Sequence, residues 1–219
     1  MPPVPGVRRA QTRARLVAAA AEVFAVRGFA GASVEEICER AGYTRGAFYG
    51  SFASKEEVFL ALLDEHNAAT LAAVRAEALA GRGSGFENAA GPGGGDALDA
   101  LVRAAARVTP EDRHWFLLST EFTLHAVRHP DVALVLAEHD AAIRGAIAEL
   151  VAAALRLAGR VATVELTALA GLIVALREGA LTQACVDPVR VPPGSLEATF
   201  LPVLVQACSR PVAPAAAAG

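Results

Sequence analysis

An all-α fold is predicted for this 219-residue chain, and three observations predict it. Apolar residues recur at three- and four-residue spacing between the turns, as on one face of a helix. The segments open on Ser, Thr, Asp or Pro and close on Gly or before Pro, which are helix boundary signals. No segment alternates apolar and polar residues convincingly enough to read as a half-buried strand, and no internal repeat is present. The length supplies ample material for a core, in one large domain or two small ones.

The opening, through about Arg9, is Pro-rich and is expected to be disordered until something binds it. A helix follows over about Ala10–Arg27, with Leu16, Ala20, Val23 and Phe24 on one face and Gly28 as its stop. Ser33 and Glu36 have the form of a capping box, in which the hydroxyl takes an orphan N–H and the carboxylate reaches back. Ile37 and Ala41 give that short helix an apolar face, and Gly42 suits the left-handed residue that ends it. Thr44 opens a second short helix, whose Phe48 and Phe52 point inward from i and i+4. Ser54 with Glu57 starts a long helix over Lys55–Ala80, with Phe59, Leu62, Leu63, Leu71 and Val74 inward.

Residues 81–95 hold seven glycines in fifteen and read as a flexible loop. They lack the Gly-Lys-Ser/Thr ending and the preceding strand of a phosphate cradle. Asp96 is expected to cap a helix to about Val108. Pro110 at the first helical position, with Glu111 and Asp112 in the first turn, starts another that reaches His129. Asp131–Ala158 reads as a long helix closed by Gly159. Thr163 is the expected cap of a helix to Cys185, and Ser195 of a last one to about Ser209, kinked or broken at Pro202. The PVAPAAAAG tail is low-complexity.

Apolar residues make up 54% and the mean hydropathy is +0.39, yet the longest apolar run, Leu166–Leu176 with Thr167 inside it, is too short to span a bilayer. The opening offers no apolar stretch for a signal peptide, so a soluble cytoplasmic protein without a membrane partner is expected. Such an apolar chain suggests helices buried on more than one face, as in an oligomer. Cys38, Cys185 and Cys208 are too few and scattered for a disulfide framework or zinc finger and read as buried free thiols, with a redox switch at Cys38 the rarer alternative. The net charge of −3 is unevenly spread: residues 1–55 carry eight basic side chains against four Glu, which leaves −7 on the rest. An electropositive end on an acidic body is the footprint of a nucleic-acid binder.

The two short helices joined by a Gly turn, with Arg and Tyr on the outer face of the second, form a helix-turn-helix. The wider stretch from about Thr12 to Leu63 resembles the N-terminal domain of TetR/AcrR-type transcriptional regulators. The residues that carry the resemblance are Ala20, Phe24, Gly28, Phe29, Ser33, Ile37, Ala41-Gly42, Thr44, Gly46, Phe48-Tyr49, Phe52, Lys55 and Phe59. The remainder resembles the family in length and helical pattern. The resemblance implies an N-terminal arm and helix-turn-helix DNA-binding domain at 1–55, a helical effector-binding and dimerisation domain at 56–210, and a disordered tail at 211–219. It implies a repressor that binds a palindromic double-stranded operator as a homodimer and is released by a small hydrophobic or amphipathic effector. Neither a cofactor nor enzymatic activity is expected.

A helix-turn-helix lays the N-terminal end of its second helix toward base edges, here Thr44, Arg45, Gly46 and Ala47. Arg45 sits at the positive end of the helix dipole, a poor place for a cation unless its guanidinium bonds guanine O6 and N7. Gly46 and Ala47 keep the surface low enough for the groove, and Thr44 with its exposed N–H groups suits a phosphate. By resemblance, Tyr49 contacts a phosphate or a thymine methyl, Lys55 holds the DNA backbone and Ser33 touches phosphate. Arg8, Arg9 and Arg13 are candidates for a minor groove or further phosphates. Gly50-Ser51 departs from the family, which usually carries aromatic or histidine residues there. A mid-helix Gly costs about 1 kcal/mol relative to Ala.

Trp115, Phe122 and His125 on one helix face, His139 on the next helix and Arg177 are the candidate effector pocket. Arg177 and Glu178 are expected to pair. Ala168, Gly171, Ala175 and Gly179 form a stripe of small residues, flanked by Leu172, that lets another helix approach. With Phe200 and Leu204 of the last helix it would complete a four-helix seam with a symmetry mate. Glu121, His125 and His129 recur every four residues, but they lack the His-Glu-x-x-His arrangement or a cysteine partner, so no metal is assigned. A metal-responsive or ligand-independent DNA-binding regulator is the alternative reading.

Overall fold

The computed structural model describes residues 5–80 and 95–212. Among them are nine helices: α1 (Pro5–Gly31), α2 (Val34–Ala41), α3 (Arg45–Tyr49), α4 (Lys55–Ala80), α5 (Gly95–Ala106), α6 (Pro110–Arg128), α7 (Pro130–Leu157), α8 (Leu166–Val186) and α9 (Ser195–Ala207). Two three-residue strands, β1 (Arg160–Ala162) and β2 (Ser209–Pro211), pair antiparallel with Val161 opposite Arg210. The fold is all-α as the sequence predicts, with this one short strand pair added among the described residues. These strands are too short to show alternation, and a side chain fastens them: Arg160 donates to Ser209 Oγ and Ser209 O, both at 2.8 Å. The arm before Pro5, most of the glycine-rich loop and the tail after Val212 lie outside the described residues, as does the Asp96 side chain.

The chain divides into two compact units, Met1–Ala68 with His114–Asp140, and Ala69–Arg113 with Ala141–Gly219. In the first, the core is aromatic. Phe24, Phe29, Phe59 and Phe122 are each at most 1% exposed, and Phe29 stands edge-on to Phe59 and Phe122 at 5.5 and 4.9 Å. Phe48 and Phe52 bury the inner side of the reading segment. α1 begins earlier than Ala10 and runs past Arg27, with its backbone broken at Gly28 (φ 69, ψ 175), a conformation that essentially only glycine adopts. The capping box at Ser33 and the left-handed Gly42 (φ 71) form as the sequence predicts. α3 ends sooner than expected. Gly50 is its cap residue with ordinary right-handed backbone, so the penalty of a mid-helix glycine does not arise. Phe52 still reaches the core because its N–H bonds Phe48 O at 2.9 Å and carries the turn onward.

In the second unit Val151, Leu155, Leu169 and Val205 form the centre, with Leu98, Ile147, Ile173 and Leu204 packed against them. Thr109 caps α6 reciprocally with Asp112: the Thr109 N–H donates to Asp112 Oδ2 at 2.7 Å, and Thr109 Oγ1 accepts from Asp112 N–H at 3.2 Å. Glu165, not Thr163, caps α8: the helix starts at Leu166, and the Glu165 carboxylate accepts the Thr167 and Ala168 N–H groups. Thr163 N–H donates to Cys208 O at 2.9 Å beside the strand pair. Gly194, not Ser195, precedes α9, without a side-chain cap bond. Pro202 sits inside α9 on its exposed side without ending the helix. By length and composition α8 is apolar enough to cross a membrane. Its Leu169, Ala170, Ala180, Leu181 and Ala184 are buried, however, and Arg177 in its middle is ion-paired within the unit.

Gly194 holds φ 81, and a Cβ there would lie 2.1 Å from the carbonyl oxygen of Ala106. Both the backbone conformation and the close approach require glycine, and neither can relax through a side chain. Gly194→Ala is expected to lose about 1–3 kcal/mol of stability, read as a lower urea midpoint. A midpoint equal to wild type would contradict this packing.

Candidate nucleic-acid interface

Thr44, Arg45, Gly46 and Tyr49 are exposed together at α3, while Phe48 behind them is fully buried. Thr44 Oγ1 accepts the Ala47 N–H at 3.3 Å, fixing the start of the helix. Ala47 itself is half-buried. Arg45 is held between two neighbours: its Nη1 lies 2.6 Å from Glu35 Oε1 of α2, and its guanidinium carbon stands 5.9 Å from the Tyr49 ring centre. The Tyr49 hydroxyl and the Glu35 charge push the Arg45 pKa up, so the cation is secure. Tyr49 stacks edge-on against Phe48 at 5.3 Å. The exposed side chains of α3 thus stand on a buried aromatic base.

The flanking residues are more engaged than their sequence suggests. Ser33 spends its hydroxyl on the capping box, donating to Glu36 Oε2 at 2.9 Å and accepting Glu36 N–H at 3.2 Å. These bonds hold the Glu36 carboxyl below the usual carboxylate range. Lys55 Nζ donates to Phe29 O and Ala32 O, each at 2.8 Å, and lies 4.5 Å from the Phe29 ring centre. Burial pushes its pKa down. Arg13 donates to Ser51 O at 3.2 Å and covers the Phe52 ring at 4.0 Å. Arg27 pairs with Glu36 and Arg40 with Glu22. Much of the positive charge counted at this end is therefore partnered internally, while Arg8 and Arg9 lie exposed on α1.

Glu121 is a residue the sequence did not suggest for this site. Its Oε2 accepts the Phe29 N–H at 2.8 Å, and a Cβ on Gly28 would come within 2.5 Å of that same oxygen. With Lys55 on the Phe29 carbonyl, both polar groups of one peptide corner are fixed. Nothing in the local pattern announces a partner 92 residues away. Glu35 was invisible as a partner of Arg45 for a similar reason: the turn between α2 and α3 decides which acid faces it.

The five expected pocket residues are not brought together. Trp115 stacks on Phe59 at 5.9 Å and on His66 at 4.1 Å, Phe122 on Phe59 at 4.1 Å, and all belong to the first unit's core region. His125 Nε2 meets Glu56 Oε1 at 3.1 Å, and His139 Nδ1 meets Asp64 Oδ1 at 2.6 Å. Arg177 lines a cavity of about 290 Å³ within the second unit, walled chiefly by Leu71, Val74, Leu101, Val174 and Leu201. It pairs with Asp112 of α6 at 3.0 Å, a partner 65 residues away. The Thr109-x-x-Asp112 spacing was a readable cap signal; the reach of Arg177 to it was not.

Along α8, Ala168, Leu172, Ala175 and Gly179 are exposed in the single chain, as are Phe200 and Val203 of α9. Gly171 and Leu204 turn partly inward, Gly171 toward Arg144 and Leu204 onto the unit's core. Cys38 is buried, and that burial, reinforced by Glu35, pushes its thiol up, away from the reactive thiolate.

Residues 16–62 match the family described as bacterial regulatory proteins, tetR family, and residues 95–208 match the BetI-type transcriptional repressor C-terminal family. Over 55 residues the chain is 47% identical to the HTH-type transcriptional regulator YdgC of Bacillus subtilis, covering 25% of this chain and 28% of that one. Over 58 residues it is 43% identical to the HTH-type transcriptional activator FasR of Mycolicibacterium smegmatis, 26% of each chain. The match thus spans about a quarter of the length of these curated relatives. Salmonella enterica GusR is similar over nearly the whole length, at 26% identity and a TM-score of 0.64, covering 90% of this chain and 96% of that chain.

Proposed function

Because this chain belongs to the TetR family of bacterial transcriptional regulators, we propose that it is a cytoplasmic repressor that binds a palindromic operator as a homodimer and is released by a small apolar or amphipathic effector. The observation that carries the reading is the exposed row of Thr44, Arg45, Gly46 and Tyr49 backed by buried Phe48. Arg45 reads a guanine through its fork of donors. Thr44 and Tyr49 take phosphates, which position the head without specifying sequence. Ser33, expected to touch phosphate, instead has its hydroxyl hydrogen and its N–H both committed to Glu36 and serves to start α2. Gly46 and Ala47 keep the approach to the groove open. Lys55 acts first by holding the peptide corner at Phe29, and any bond to DNA uses the donor that remains.

One head reads too little DNA for useful affinity, so two must act together. The exposed stripe of Ala168, Leu172, Ala175 and Gly179 with Phe200 suits a self-complementary four-helix seam, with small residues allowing close approach and Val203 adding apolar surface. Gly171 and Leu204 support it from beneath. The effector occupies the 290 Å³ cavity beside Arg177. Its binding favours a state in which the two reading helices no longer match successive major grooves, about 34 Å apart. The repressor sense follows the description of the C-terminal match; FasR, an activator, is similar over 58 residues, 26% of this chain.

Selection of duplexes from a random pool with the full-length protein is expected to return an inverted repeat whose half-site centres lie about one helical turn apart. Recovery of a single half-site, or of no sequence, would defeat the dimeric reading. Val174→Trp, which fills part of the cavity, is expected to keep operator binding while needing about tenfold more of any releasing compound. Unchanged release across a panel of apolar and amphipathic compounds would place the effector elsewhere.

A further inference from the structure

On the reading of this cavity as the effector site, we infer that the effector carries a carboxylate on an apolar body, and that Arg177 binds it. A guanidinium has five N–H donors in a planar fork. Here Nη1 donates to Ala105 O at 2.7 Å and Nη2 to Asp112 Oδ1 at 3.0 Å. The remaining donors belong to a half-buried side chain on the wall of an otherwise apolar cavity. The acid beside it has most of its acceptor capacity filled. Asp112 Oδ2 already accepts from Thr109 N–H and Thr109 Oγ1–H, at 2.7 and 2.8 Å, while Oδ1 is engaged by Arg177. The second ion pair on the wall, Arg107 with Glu77, is likewise self-neutralised.

The donors that Arg177 has left bring hydrogen-bonding capacity on a cation to this wall, and its natural complement is an oxygen acceptor bearing negative charge. Thr109 and Asp112, both on the cavity wall, mark the N-terminal end of the 19-residue α6, where the helix dipole favours an anion. The volume of about 290 Å³ admits a small aryl or alkyl body and excludes a large polar head. A carboxylate oxygen on the free donors of Arg177 would share the guanidinium with Asp112 without displacing the α6 cap, since the cap uses the other Asp112 oxygen.

The test compares three matched probes, 4-phenylbutanoate, 4-phenylbutan-1-ol and 4-phenylbutylamine, with the corresponding straight-chain acids, alcohols and amines of six to ten carbons. Each is measured for binding by calorimetry and for release of a selected operator duplex. In the wild type the acids are expected to bind at least about tenfold tighter than the alcohols, and the amines weakest. Arg177→Gln is expected to abolish that order while leaving alcohol binding nearly unchanged. Should Arg177→Gln fold poorly, Arg177→Lys keeps the charge but not the fork, and is expected to weaken the acids several-fold. Amines or alcohols binding as tightly as the acids in the wild type, or no acid binding at all, would overturn the inference. If alcohols or amines bind, release operator and lose that effect in Val174→Trp, the effector cavity stands and only the carboxylate falls. If no class binds, both fall.

Discussion

The reading head depends on one peptide corner. Gly28 leaves the helical backbone and turns the next N–H outward. That N–H bonds Glu121, while the Phe29 and Ala32 carbonyls receive the Lys55 ammonium. The Phe29 ring meanwhile packs among Phe24, Phe59 and Phe122. A buried aromatic fixes position, and hydrogen bonds to its own backbone fix direction. Together they set the angle at which Ser33 starts α2, and through the Gly42 turn the angle of α3. Three segments far apart in sequence therefore converge on one residue before any base could be read. Charge-assisted hydrogen bonds of this kind contribute roughly 1.5–3 kcal/mol each, enough to hold an angle that propensity alone would leave free in helices of eight and five residues.

Electrostatics at the head follow from the same economy of partners. A count of charges makes the first 55 residues basic, but Arg13, Arg27, Arg40, Arg45 and Lys55 all have protein partners. The exposed pairs are weak in water, at about 0–1 kcal/mol each, and can exchange a carboxylate for a phosphate at little cost. Arg45 is one of these, opposite Glu35 with both side chains more than half exposed. Lys55 is not, because its ammonium sits on two carbonyls and an aromatic face. The two cations are adjacent to the same reading helix, yet they do different work.

The head was legible because its signals are local. Ser33-x-x-Glu36, Gly42, Thr44 and the Phe48–Phe52 pair each specify a cap, a turn or a face within a few residues, and α4 keeps the bounds its pattern gives. Local reading failed where a distant partner decides. Thr163 looked like a cap, but α8 begins later, at Leu166, with Glu165 as its cap, and Gly50 looked like a mid-helix flaw until α3 ended beside it. Trp115, Phe122 and His125 do form an apolar face, and that face packs into the first unit's aromatic core. Periodicity identifies a buried face and cannot say what it is buried against. Arg177, an expected pocket residue, lies on the wall of the second unit's cavity, and it stands out in sequence for a physical reason. A charge in the middle of an apolar helix must have a partner, although the sequence did not show that the partner is Asp112.

The central claim is that Arg45 reads a base while its neighbours hold the DNA backbone. Its most direct test is the affinity of wild type and Arg45→Ala for a selected operator and for each single-base variant of it, at fixed salt. Loss of about 1–3 kcal/mol of discrimination at one base pair per half-site, with the other positions still discriminated, is the predicted result. Equal weakening on every variant, with discrimination intact, would make Arg45 a phosphate contact and contradict the account.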